Sequence, residues 1–271
     1  MKISFYEEFP AKENLDKINL INFETKIIAA AKSLNEFHSI KNLIEKYKSK
    51  KIKEVIYWPI LDKEEGYWFS AFAKNSALKR TIEEMQQNKK SLTIMWDAEL
   101  PYYKSLILKQ IFNYFRNRKI ILDFFENSKK YNIKILTSEY PIESKFLRNL
   151  LFNLFLISFE PKKYGNKKIA MLYPSFLRSH PNIENFLENQ IKIGQKNFGD
   201  NFIVALGTIA VGINGNEQIL TPKELDRDLM IAKNSGINEV VIFRLGGLDK
   251  RYVKVIREFL CPEKPLTLKT K

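Results

Sequence analysis

The segment Leu92–Pro101 reads LTIMWDAELP: a run of apolar, strand-forming residues that ends in two carboxylates, Asp97 and Glu99. Side chains alternate across a β-strand, so Asp97 and Glu99 point to one side while Trp96 and Ala98 point to the other. Two carboxyls sharing one confined space cannot both ionise freely, and the expected outcome is one raised pKa beside one group that stays ionised. On this reading Glu99 is the raised general acid/base, and Asp97 stays charged to orient a substrate or stabilise positive charge. Burying two acids on one face of an apolar strand costs desolvation that ordinary packing does not repay, which singles the pair out as functional.

The elements that must position this pair follow from the alternation of patterns along the chain. β-Rich runs at 2–6, 26–31, 54–58, 92–98, 133–137, 154–159, 168–173, 201–206 and 239–244 are separated by segments of helical period at 34–48, 70–88, 104–131, 182–197, 222–235 and 249–260. Asn35 reads as a cap for the first of these helices. Thr221-Pro222 followed by Glu224 reads as a capping box with proline at the first helical position, and Gly236 as a stop signal. Strand–helix repetition of this kind, with no glycine- or proline-rich linker, implies a (β/α)8 TIM barrel formed as a single domain over residues 1–271. The surplus strand is expected to be a hairpin or an irregular insert near 154–173. A doubly wound sheet of the dinucleotide-binding kind has no support, because no GxGxxG follows the first strand.

In a barrel, function sits at the C-terminal ends of the strands. Those ends carry Tyr6 and Glu7, Trp58, Asp97 and Glu99, Glu139 and Tyr140, Glu160 and Tyr164, Tyr173, and Arg244 ahead of LGGLD, while the loops add Tyr67 and Trp68, Tyr102 and Tyr103, and Glu217. Aromatic faces around a carboxylate floor suit a carbohydrate, since rings stack on the apolar sugar face and carboxylates bind hydroxyls and catalyse. Trp58, Tyr173 and Arg244 are therefore expected to line the same pocket as Glu99, with Glu217, Glu139 or Glu7 supplying a second carboxylate. Two alternatives stay open. One is a phosphate-handling lyase or isomerase using Arg244 and the Gly246-Gly247 amides. The other is a non-catalytic barrel that binds RNA or another anionic polymer.

Bulk composition narrows these readings. The chain of 271 residues is 45% hydrophobic, with 45 lysines and arginines against 31 acids and a formal charge of +14. The lysines are scattered over helix faces and gather at helix ends, where cations favour the helix dipole, so solvated faces are favoured over a nucleic-acid site. Lysine- and isoleucine-rich composition is also common in thermophiles. With only His38 and His180, no polyhistidine metal site can be assembled, and the reading calls for no cofactor; a carboxylate-only magnesium site is a minor option. The lone Cys261 fits a reducing compartment, and MKISFYEEFP reads as a first strand instead of a signal, which together imply a cytoplasmic protein. The apolar run FLRNLLFNLFLISF at 146–159 is too short for a membrane span and is expected in the core. The partner implied is a small-molecule or oligosaccharide substrate.

The residues also carry a resemblance. W-D-A-E (Trp96–Glu99) resembles the fourth strand of the chitinase-like family-18 glycoside hydrolases, whose DxxDxDxE motif closes on an aspartate and a catalytic glutamate. IAMLYP (Ile169–Pro174) resembles their MxYD strand through Met171 and Tyr173, and VVIFRLGGLD is loosely similar to their last strand. The resemblance implies that Glu99 protonates the leaving oxygen, that Asp97 orients a substrate acetamido group acting as nucleophile, and that Tyr173 assists that group. Leu92 and Met95 stand where the motif has its earlier aspartates, Pro174 replaces the aspartate after the tyrosine, and EVIYWP replaces the third-strand SxGG.

Overall fold

The structure is a computed structural model that describes residues 1–47, 50–178 and 182–260. His180 and Cys261 lie outside the described residues. Strands β1 (Lys2–Glu7), β2 (Thr25–Ala31), β3 (Ile52–Pro59), β4 (Leu92–Asp97), β5 (Ile133–Glu139), β6 (Lys167–Met171), β7 (Phe202–Gly207) and β8 (Glu239–Phe243) form one closed parallel barrel in sequence order. Closure is made by β8 on β1, with Lys2 opposite Glu239 and Tyr6 opposite Phe243. This is a (β/α)8 TIM barrel.

Around it lie α1 (Lys12–Leu15), α2 (Leu34–Lys46), α3 (Asn75–Gln87), α4 (Ser105–Lys109), α5 (Tyr114–Asn127), α6 (Lys145–Phe155), α7 (Pro161–Tyr164), α8 (Ile183–Phe198), α9 (Pro222–Asn234) and α10 (Lys250–Arg257). Among the described residues no helix is long and apolar enough to cross a membrane. The capping box is present at α9, with Glu224 N–H donating to Thr221 Oγ1 at 3.2 Å and Thr221 N–H donating to Glu224 at 2.6 Å; Gly236 follows with φ +78°. The cap of α2 is Ser33, not Asn35: the Ser33 hydroxyl accepts from Glu36 N–H, and Asn35 already lies inside the helix.

Period-two alternation sorts the strand residues into two cores. Tyr6, Ile28, Ile56, Trp58, Met95, Ile169, Ile203 and Phe243 fill the barrel interior. Outward residues pack under the helices, where Trp96 meets Phe69 at 5.0 Å and Phe125 at 5.1 Å, and Phe125 stacks on Phe159 at 4.1 Å. Fully burying aromatics of this size contributes ~1.5–3 kcal/mol each.

The expected strand at 154–159 is not one. Ser144 caps α6 by accepting from Leu147 N–H, the helix runs to Phe155, and Leu156 ends it with φ +54°. The chain then plugs Leu156 and Phe159 into the outer core and turns through α7 into β6, so the connection is an irregular insert and not a hairpin. Nor is the 146–159 run a core segment throughout: Phe146, Leu147, Leu150 and Leu154 are exposed.

Candidate functional site

At the C-terminal end of the barrel a cavity of about 510 Å³ opens between the βα loops. Asp97 ends β4 on its floor, 4% exposed, and Glu99 follows two residues later, half-buried on the same side. The extended geometry persists past the strand end because Ala98 N–H donates to the Ser138 carbonyl at 2.9 Å. Trp58, Trp68, Tyr6, Tyr140 and Tyr173 form aromatic walls, and Phe243 closes the floor between Tyr6 and Tyr173. Tyr173 takes φ +22°, a sparsely populated backbone conformation for a non-glycine residue, as the chain leaves β6.

Burial governs the electrostatics. Desolvation, with the Glu99 and Glu8 charges adding to it, holds the Asp97 carboxyl well above its ordinary 3.8. Desolvation also pushes Glu99 up to about 7, while the Tyr140 hydroxyl, donating to Glu99 Oε2 at 3.1 Å, and the Lys104 charge pull against it. Asp97 is the deeper of the two, and its buried Oδ1 has no hydrogen-bond partner, so burial disfavours the charged form of both carboxyls and they take up and release protons as a pair.

A second pair of acids faces the same cavity. Glu8 Oε1 accepts from the Tyr67 hydroxyl at 2.7 Å and Oε2 from Ile213 N–H at 3.0 Å; burial, with the Glu217 charge adding to it, raises its pKa to about 7. Glu217 accepts from Asn214 N–H at 3.2 Å, and its buried Oε2 has no partner. Both approach Gly212, where a Cβ would sit 2.8 Å from Glu8 Oε2 and 2.9 Å from Glu217 Oε1, so glycine is what leaves room for the two carboxylates. Trp58 Nε1 is also buried without an acceptor, leaving an indole donor on the residue that lines the wall.

Of the residues expected at the site, Tyr6, Trp58, Asp97, Glu99, Tyr140, Tyr173 and Glu217 line this cavity. Glu7, Glu139 and Arg244 do not, and alternation is the reason. Tyr6 points inward, so Glu7 points outward, where it accepts from Arg244 Nη1 at 3.0 Å and from Gly246 N–H at 2.7 Å. Ser138 pairs in register with inward Asp97, so Glu139 turns out to meet Lys168 Nζ at 2.7 Å. Phe243 fills the interior, so Arg244 turns out beside Glu7 and donates to the Val211 carbonyl at 2.8 Å. The Gly246 amide that a phosphate loop would offer is already bound to Glu7. Glu8, Ser138 and Phe243 are among the further residues of the lining, and counting by twos from Tyr6 finds Glu8; Trp68, expected from its loop, arrives on an irregular turn that replaces the expected start of α3 at residue 70.

No family model matches the chain, and no curated protein matches it. Solved structures do. The glycoside hydrolase domain of PgaB (BpsB) from Bordetella bronchiseptica aligns over 97% of this chain and 100% of its own, with TM-score 0.61 and 10% identity. A GH18 chitinase from Pseudoalteromonas aurantia aligns over 96% and 100%, with TM-score 0.55 and 8% identity. A D-tagatose 3-epimerase-like protein aligns over 96% and 97%, with TM-score 0.54 and 15% identity. At these identities the likeness is one of fold: the chain has the TIM-barrel fold found in glycoside hydrolases and in sugar epimerase-like proteins.

Proposed function

We propose that the protein is a glycoside hydrolase-type enzyme acting on a glycosidic bond of an oligosaccharide or glycoconjugate. The observation that carries this reading is the Glu99 carboxyl: half-buried at the cavity, held by the Tyr140 hydroxyl, and raised to about 7, which suits a proton donor at neutral pH. Glu99 delivers its proton to the leaving oxygen as the bond from the anomeric carbon breaks. Asp97, beside it on the cavity floor, orients the sugar ring's substituent, and an acetamido group is one it would position for attack. Glu217 or Glu8, across the cavity, either stabilises the developing positive charge or activates water. The aromatic walls bind the sugar.

Chromogenic glycosides with and without a 2-acetamido group are the direct test. Cleavage that falls by roughly 100-fold or more in Glu99→Gln, with substrate binding retained, is the expected result. Full activity in Glu99→Gln overturns the assignment. A second reading, a sugar epimerase or isomerase, draws on the Glu8/Glu217 pair facing Asp97 and Glu99, since two opposed acid/base groups are what proton transfer at a sugar carbon requires. Solvent deuterium entering a free sugar without bond cleavage would favour it.

A further inference from the structure

Two neighbouring surface segments combine exposed apolar side chains with charge of one sign. From 104 to 119 the sequence KSLILKQIFNYFRNRK contains Lys104, Lys109, Arg116, Arg118 and Lys119 and no acid; from 145 to 159 it contains Lys145 and Arg148 and no acid. In the fold, Phe112 is 94% exposed, Phe115 78%, Leu108 76% and Phe146 77%, with Ile111, Leu150 and Leu154 also exposed. On α6 the spacing Phe146, Leu150, Leu154 sets these residues along one outward face. The segments adjoin: the Tyr114 hydroxyl at the start of α5 donates to the Asn153 carbonyl of α6 at 2.9 Å, and the Phe72 ring lies 5.2 Å from Tyr114 and 6.1 Å from Phe155. Exposed apolar surface of this extent, rimmed by charge, marks an interaction site.

We propose that this surface docks the protein on an anionic phospholipid bilayer, with the phenylalanines and leucines entering the headgroup–acyl boundary and the cations meeting lipid phosphates. Charge selects the occupant. Lys109 and Arg116, beside the exposed phenylalanines, are exposed with the acids nearest them engaged or distant, while Lys104 neighbours Glu99 and Lys119 lies one turn from Asp123. Glu160 pairs with Arg148, Glu143 accepts from Gln190, and Asp123 lies two turns beyond Phe115 along α5. A second copy placed by a two-fold axis would set these cations against themselves. An anionic polymer such as RNA would satisfy the cations but leave leucine and isoleucine side chains in water, while a bilayer interface takes both. The surface lies on the connections after β4 and β5, which also carry Asp97, Glu99 and Tyr140, so docking would bring the cavity's end of the barrel toward the membrane.

Co-sedimentation with vesicles of phosphatidylcholine, alone or with a third phosphatidylglycerol, tests this. The full chain is expected to partition onto phosphatidylglycerol vesicles at low salt, roughly tenfold more weakly onto phosphatidylcholine or at high salt. Phe112→Ser/Phe115→Ser and Lys109→Glu/Arg116→Glu should each lower partition by about tenfold or more, with unchanged circular dichroism and urea midpoint because the side chains are exposed. Phe112→Trp should give a blue-shifted emission on the vesicles that brominated lipid quenches. No partition at low salt, or partition that ignores both double variants, overturns the proposal. So does a dimer in sedimentation velocity that Phe112→Ser/Phe115→Ser dissolves, or RNA binding in protein that leaves vesicles unbound.

Discussion

At the scale of single residues, Asp97 and Glu99 differ by depth, and depth decides their chemistry. Glu99 opens to the cavity and is held by Tyr140, so its proton is exchangeable near neutrality; Asp97 lies beneath it with one oxygen unpartnered, and burial holds its carboxyl well above the ordinary value. If Glu99 is the donor, activity falls as pH rises through about 7, and a pH–rate profile of kcat/KM reads that limb. Asp97→Asn should lower the rate, because it removes the carboxyl seated beneath the donor. The same substitution has a stability signature of fixed sign. A carboxyl whose folded pKa exceeds its unfolded 3.8 binds protons more tightly when folded, so wild-type stability declines as pH rises above that value. Asparagine does not titrate. Asp97→Asn should therefore match wild type near pH 4 and gain on it progressively as pH rises to 8 in urea unfolding. An equal difference at both pH values would remove desolvation as the cause.

Elements convert those residues into a site by two simple periodicities. The strand–helix alternation was legible because β1 to β8 are short, largely apolar runs separated by segments of helical period, some of them capped as at α9, and the W-D-A-E strand end declared its inward pair. The register at the other strand ends was not legible in the same way. Reading Tyr6 with Glu7, or Glu139 with Tyr140, ignores that neighbours on a strand face opposite cores, and the register that decides which faces inward is set by the partner strand. The 154–159 run misled because a short apolar segment fits a strand and a buried helix equally, and the Ser144 cap that starts α6 lies outside it. Helix packing makes its own prediction. Gly194 on α8 faces the Phe202 ring of β7, and a Cβ there would collide with it. Gly194→Ala should raise helix propensity yet destabilise by about 1–3 kcal/mol, since overpacking outweighs a propensity gain near 1 kcal/mol. Equilibrium urea unfolding checks the sign.

For the whole molecule, the barrel is closed where the chain's first strand meets its last, and that seam carries a buried ion pair. Glu7, fully buried at the end of β1, accepts from Arg244 Nη1 just past β8, from Gly246 N–H and from Phe9 N–H, and the guanidinium lies over the Phe9 ring at 4.9 Å. Burial outweighs these partners and leaves the Glu7 pKa raised. Removing the cation alone strands a buried carboxylate, which costs about 3–5 kcal/mol, while replacing both partners with uncharged side chains costs less. Arg244→Met should thus be strongly destabilised in urea, and Glu7→Gln/Arg244→Met should recover part of the loss. The deficit of Arg244→Met should also shrink from pH 8 to pH 5.5, because a stranded Glu7 escapes its penalty by taking up a proton. The folded fraction should keep its affinity for any ligand of the cavity, since neither residue lines it. Lost affinity in a folded Arg244→Met protein would instead return Arg244 to the binding site and reopen the anion-handling reading of the Gly246-Gly247 loop.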